Sequence, residues 1–164
     1  MADKLTREQR SAHMARIRRS DTAPERIVRR LLHSMGYRFR LQFKAVPGRP
    51  DVAFPARRKA LMIHGCFWHA HDCPAFRVPK TRSDFWLAKF AANRERDARL
   101  ARAAAAAGWD CITIWECEVA DTERLADRLR LQLGPPRYRD QVAMHSNVVG
   151  EISHPGGFES TRAV

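Results

Sequence analysis

Ala60-Leu61-Met62-Ile63-His64-Gly65-Cys66-Phe67-Trp68-His69-Ala70-His71-Asp72-Cys73 joins a short apolar run to a loop crowded with thiols and imidazoles. The first four residues are continuously apolar and follow a turn at Pro55 to Lys59. Such a run reads as a central strand, buried on both faces, that delivers His64 at its end. Cys66, His69, His71 and Cys73 follow at once, wrapped around Phe67-Trp68. Zn²⁺ prefers Cys and His ligands, and structural zinc sites take four of them. Histidine also titrates closest to neutrality, so the same loop can carry a proton-transfer group. The adjacent Phe-Trp pair has no obvious core to join. The combination points toward nucleic-acid chemistry.

Outward from this stretch the chain alternates between helical and extended patterns. Upstream, Thr22-Ala23-Pro24-Glu25 is a capping box with Pro early in the first turn. Ile27, Val28, Leu31, Leu32 and Met35 recur at helical spacing, and Gly36 stops the helix. Tyr37, Phe39, Leu41 and Phe43 alternate with Arg38, Arg40 and Gln42, which predicts a strand with one buried and one basic face. Val46 to Pro50 is a turn, and Asp51-Val52-Ala53-Phe54 begins a short strand. Downstream, a long helix starts near Thr81, with Thr81-Arg82-Ser83-Asp84 as its cap. It puts Trp86, Phe90, Asn93, Asp97 and Leu100 on one face, and Gly108 ends it. Asp110 to Glu116 is a buried strand carrying Cys117 at its end, and Thr122 to Leu133 is a closing amphipathic helix. The order α-β-β-β-α-β-α predicts an α/β sandwich around a mixed sheet. Residues 1–20 read as a basic arm that contacts DNA, 21–134 as the folded domain, and 135–164 as a loosely ordered tail.

The 164 residues suffice for one domain with a real core, and 45% of them are hydrophobic. Thirty Lys and Arg against 18 Asp and Glu give +12. A field of that sign most often serves phosphate attraction. A merely arginine-rich protein is the bland alternative. The N-terminal stretch is charged and lacks the apolar core of a secretion signal. No run approaches the ~18 apolar residues of a membrane span. The expectation is a cytoplasmic protein with reduced thiols, in which Cys66, Cys73, Cys111 and Cys117 are not a disulfide framework.

Three constellations carry chemistry. Cys66, His71 and Cys73 supply three metal ligands, and Cys117 could supply the fourth from a neighbouring strand end; spacing does not decide between His71 and His69. Cys111, in mid-strand, reads as core packing. Asp51, at a strand start after a turn, can present oxygens to Mg²⁺. A lone Pro-Asp would be only a turn residue, but His64 ends the next strand and His69 lies five residues on. Asp97, on the buried face of its helix, needs a partner. It could orient His69 and raise its basicity, or it could pair with a neighbouring arginine. Phe67 and Trp68 could form a mini-core over the metal. They could also wedge between base pairs, as apolar side chains do when they unstack a step. Met14 and Ile17 on the basic arm could wedge from the opposite groove.

These pieces resemble one family, the very short patch repair (Vsr) mismatch endonucleases. The likeness spans roughly residues 10–134. It rests on Met14-x2-Ile17, Asp21-Thr22-x2-Glu25, Pro47-Gly48-Arg49-Pro50-Asp51, His64 through His69, Phe85-Trp86-x2-Lys89, Asn93-x2-Arg96-Asp97, and Gly108-Trp109 through Trp115-Glu116-Cys117. The resemblance implies a restriction-endonuclease-like fold, a mixed central sheet flanked by helices, with a structural zinc site. It implies nicking of one DNA strand on the 5′ side of the thymine in a T:G mismatch left by 5-methylcytosine deamination. Asp51 and the Ile63 backbone carbonyl would hold Mg²⁺. His69 would be the general base, Asp97 its orienting partner, and His64 a support for the phosphate and the water on the metal. Glu25 would stand in the outer shell. Cys66, His71, Cys73 and Cys117 would hold zinc. Phe67 and Trp68 would intercalate, Met14 and Ile17 would enter the minor groove, and Trp86, Lys89 and Asn93 would face the DNA. Implied partners are double-stranded DNA with a T:G mismatch, mismatch-repair proteins and a cognate cytosine-5 methyltransferase, with no membrane; a single asymmetric nick fits a monomer.

Some positions depart from the family pattern. Met62-Ile63-His64 stands where the usual endonuclease signature has acid-x-Lys, so His chemistry replaces the Lys, as it also does in the family. Ile63 stands where some members have Thr, which a backbone carbonyl ligand survives. Ala70 and Asp72 interrupt a run that can be all His in relatives, without touching the four zinc ligands. Two competing readings are a non-catalytic, zinc-stabilised DNA-binding module and a restriction-type nuclease on matched DNA. The joint presence of Asp51, His69 and Asp97 favours an enzyme.

Overall fold

The structure, a computed structural model, describes residues 20–136 together with Thr6, Glu8, Gln9 and Ala12. Met14, Ile17 and nearly all of the expected arm and tail lie outside the described residues. The described chain follows the anticipated order. It runs α1 (Ala23–Ser34), β1 (Arg40–Leu41), β2 (Val52–Phe54), β3 (Lys59–His64), α2 (Ser83–Ala106), β4 (Asp110–Trp115) and α3 (Thr122–Leu133). Short 3-10 turns at Pro55–Arg57 and Glu116–Ala120 follow β2 and β4. The sheet order is β1-β2-β3-β4. β1, β2 and β3 pair antiparallel, and β4 joins β3 in parallel, with His64 opposite Trp115. The sheet is therefore mixed, and the run Ala60–Ile63 lies in one of its two inner strands.

Side-chain alternation divides β3 between two cores. Leu61 faces Val28, Leu32, Ile112, Ile114, Leu125 and Leu129, the layer under α1 and α3. Ala60 faces Val46, Ala53, Ala104 and Trp109, the layer under α2. Fully burying each Leu or Ile of the first layer contributes about 1.5–3 kcal/mol relative to exposure. The second layer sets three alanines beside Val46 and Trp109, and a cavity of about 400 Å³ lies beneath α2, walled by Met62, Cys111, Thr113 and Ala101. His64, His69 and Asp97 line it too.

Three local readings need correction. The strand expected over Tyr37–Phe43 is only Arg40–Leu41, and Leu41 is exposed. Its partner β2 has three residues, and Gln42 takes a left-handed φ of +46° that ends the pairing. Tyr37 and Phe39 still pack inward, edge-on to Phe54. The Thr81 cap is absent: α2 begins behind a left-handed Arg82, and no side chain caps it. β4 stops at Trp115, so Cys117 sits in the following 3-10 turn rather than on the strand. The capping box of α1 forms as read, with Thr22 and Glu25 reciprocally bonded.

Candidate active site and metal centre

β3 and β4 run in parallel and end side by side, so both loops leave from one edge of the sheet. That edge gathers the chemistry. Cys66 and His71 from the β3 loop, Cys73 beyond them and Cys117 from the turn after β4 bring four ligand atoms within 4.8 Å of one another. His71 Nδ1 lies 3.6 Å from the sulfurs of both Cys66 and Cys117. A tetrahedral zinc with bonds of ~2.3 Å to sulfur and ~2.0–2.1 Å to nitrogen sets that edge at about 3.5–3.6 Å. The donor set and spacing therefore fit zinc, and geometry selects His71 over His69. Burial pushes the Cys66 thiol up to about 12, so a thiolate there needs a cation beside it. Desolvation raises Cys73 too, but N–H donors from Ala75 and Phe76 and the neighbouring thiols carry it below the ordinary value. Backbone donors to sulfur are the outer support that metal thiolates use. The Glu116 carboxylate accepts from the Cys66 N–H at 3.3 Å, and the His71 ring stacks on Trp115 at 4.0 Å. Glu116 and Trp115 belong to the Trp115-Glu116-Cys117 motif but were given no role from sequence, although Trp115 falls opposite His64 in the parallel register. Cys111 stands apart, packed with the Ala53–Trp109 layer.

A second group lies beside the first. His69 Nδ1 pairs with Asp97 Oδ2 across 28 residues of sequence. His69 and His64 stack face to face, 3.8 Å between centroids and 5° between planes. His64, His69 and Asp97 bring one donor or acceptor atom each within 4.8 Å of the others. Desolvation would raise the Asp97 carboxyl, but Arg96 and His69 more than offset it and hold it below the ordinary value. Burial, then the His69 charge, lowers His64 to about 4. His64 is thus neutral near pH 7.

Asp51 leads into β2 across from the end of β3. Its Oδ2 accepts from the Ile63 N–H at 2.7 Å, and its Oδ1 from Gln42 at 3.4 Å. Burial pushes its carboxyl up to about 6; the Ile63 bond lowers it and Glu25 raises it again. The half-buried Asp51 carboxylate, raised by burial and by Glu25 and with Oδ1 held only by the long Gln42 contact, could take a hard cation such as Mg²⁺. Glu25 itself is 3% exposed and fully engaged, by the Asp21 and Thr22 amides, the Thr22 hydroxyl and Arg29 at 2.6 Å.

The aromatics pack on one another. Phe67 meets Trp86 at 5.0 Å and Phe90 at 5.4 Å, while Trp68 meets Phe67 at 5.2 Å. Phe67, Trp68 and Trp86 remain half-buried, so the cluster is both a mini-core and a surface. Asn93 is buried and donates to the Trp68 carbonyl at 2.8 Å, tying the loop to α2. Lys89 is exposed.

A family model described as DNA mismatch endonuclease Vsr matches residues 2–75. The type II nicking enzyme V.XorIIP of Xanthomonas oryzae pv. oryzae is 50% identical over 135 residues, 82% of this chain and 99% of the relative. DNA mismatch endonuclease Vsr of Escherichia coli K12 is 42% identical over 127 residues, 77% of this chain and 81% of the relative. The type II nicking enzyme V.NmeAIP of Neisseria meningitidis serogroup A is 36% identical over 129 residues, 79% and 92% of the two. Identity at this level across most of both chains places the chain in the family of the DNA mismatch endonuclease Vsr.

Proposed function

We propose that this chain is a DNA endonuclease that nicks one strand 5′ of the thymine in a T:G mismatch arising from 5-methylcytosine deamination, initiating very short patch repair. The single observation that carries the reading is the His69–Asp97 pair stacked on His64, the residue after the Ile63 amide that Asp51 binds. The proposed domain, 21–134, has a restriction-endonuclease-like fold, with 1–20 as DNA-contacting arm and 135–164 as tail.

Asp97 takes the Nδ1 proton of His69 in a hydrogen bond, which leaves Nε2 as the basic nitrogen. His69 Nε2 accepts the proton of the attacking water, and Asp97 stabilises the imidazolium that results. His64, kept neutral by burial, can donate one N–H to phosphate oxygen without adding a charge that competes for Asp97. Mg²⁺ held by Asp51 and the Ile63 carbonyl would supply charge stabilisation at the phosphate. Glu25 and Arg29 fix the polar corner behind Asp51. Cys66, His71, Cys73 and Cys117 would hold zinc as a structural ion, which would lock the loop bearing Phe67, Trp68 and His69. Phe67, Trp68 and Trp86 form the wedge at the mismatch, with Met14 and Ile17 from the arm. Lys89 faces the DNA, and Asn93 serves it by holding Trp68. The proposed setting is a cytoplasmic monomer on double-stranded DNA, working alongside mismatch-repair proteins and a cognate cytosine-5 methyltransferase.

A strand-resolved assay tests this. Protein and Mg²⁺ meet end-labelled duplexes with T:G, C:G or T:A at one position, in several methyltransferase contexts. The reading expects one nick beside the T of T:G only. Cutting of matched duplexes would replace it with a restriction-type nuclease, and binding without cleavage in every context with a non-catalytic module.

A further inference from the structure

Arg96 precedes Asp97 on α2 and has no role in the mechanism above. Its Nε and Nη2 both donate to Asp97 Oδ1, at 3.3 and 3.0 Å. The other carboxylate oxygen, Oδ2, belongs to His69. Asp97 is thus held from two sides, by a guanidinium fork and by an imidazole. The Arg96 side chain is 51% exposed, whereas Asp97 is 20% exposed. A guanidinium has five N–H donors, and the fork occupies two of them. The remaining three, including both on Nη1, belong to a half-exposed group. Planar, permanently charged donors of this kind suit phosphate oxygens. Stability is a poor reason for the arrangement, because an exposed pair between neighbouring residues contributes at most about 1 kcal/mol.

We propose that Arg96 is a positioning residue that bridges Asp97 to a backbone phosphate of bound DNA, so that one guanidinium both seats the duplex and holds the His69–Asp97 pair in register. The inference deepens the mechanism above and rests on its assignment of His69 as base.

Arg96→Gln and Arg96→Lys separate the two halves of the bridge. Binding to a matched duplex without Mg²⁺ reads the phosphate half. Arg96→Gln should lower the slope of log affinity against log salt by about 0.9, one contact, and Arg96→Lys should leave it unchanged. The downfield proton resonance of His69 Nδ1–H reads the other half and should move in both variants, since neither Gln nor Lys can fork onto Oδ1. Turnover at saturating T:G duplex should fall about tenfold or more in both variants, with KM rising only in Arg96→Gln. Zinc content and melting temperature should not change. An unaltered salt slope in Arg96→Gln overturns the phosphate contact. Full turnover in Arg96→Lys, with an unmoved His69 signal, overturns the bridge. A wild-type protein that does not nick T:G duplex defeats the mechanism, yet the salt slope and the His69 signal still decide the bridge.

Discussion

Asp51 is half-buried, and desolvation, with Glu25 adding to it, raises its carboxyl to about 6 from 3.8. A raised carboxyl means that the folded state holds the proton more tightly than the unfolded chain. Stability therefore falls as pH climbs from about 4 to 6, and the deficit persists above that. Two units correspond to at most about 3 kcal/mol. Asp51→Asn keeps the acceptor for the Ile63 N–H and removes the charge. It should raise stability by roughly 1–3 kcal/mol at pH 8 and by almost nothing at pH 4, as read by denaturant midpoints without added Mg²⁺. The same variant should not nick. Equal midpoint gains at both pH values would mean that burial does not perturb Asp51. Asp97→Asn should lower turnover at least about 100-fold while DNA affinity and zinc content hold, because Arg96 keeps Oδ1 and the amide Nδ2 then donates to His69 Nδ1, fixing the wrong tautomer. A turnover loss matched by lost affinity would make Asp97 a binding residue instead.

Among the elements, the loop after β3 and the helix α2 depend on each other. Gly65 leaves room for the Trp68 ring: a Cβ there would sit 3.1 Å from Trp68 Cδ1. Gly65→Ala should displace Trp68 without unfolding the protein. The expected readout is a changed tryptophan near-UV spectrum and weaker mismatch preference, with a melting temperature within a few degrees of wild type. An unchanged spectrum and preference would show that the loop absorbs the methyl elsewhere. For α1, Thr22→Ala should cost about 1 kcal/mol in denaturant unfolding by opening the capping box around Glu25. A neutral result would mean that Arg29 and the Asp21 and Thr22 amides hold Glu25 without the hydroxyl. Element boundaries were legible where side-chain chemistry sets them, as at Thr22, Gly36 and Gly108. They were not legible at β1 or at the start of α2. There a three-residue pairing partner and left-handed backbones at Gln42 and Arg82 decide, and neither residue type announces that conformation.

Across the whole molecule, the zinc ligands tie the loop after β3 to the turn after β4, so metal loss should be felt beyond the four side chains. Stripping with a strong chelator should release one zinc per chain, disorder the Phe67–Trp68–Trp86 packing and abolish nicking. Mg²⁺ alone should not restore activity, and zinc should. Nicking that survives full zinc removal would end the structural-zinc reading. The residues for this chemistry could be nominated from the chain alone. Cys and His spacing, a carboxylate on an apolar helix face and alternating apolar runs each carry their own physical signature. Partners distant in sequence could not be assigned in that way. Spacing left His69 and His71 equivalent, and Asp97 could as well have paired with an arginine. The parallel register of His64 with Trp115 brings Cys117 to Cys66, turns His71 toward the thiols and leaves His69 facing α2. Asp97 then meets both His69 and Arg96, satisfying the two alternatives at once. Local patterns select which side chains can do chemistry, because periodicity and ligand affinity are properties of short segments. Which of them meet is set by strand order and helix packing, because those contacts span tens of residues and exist only once the sheet has closed.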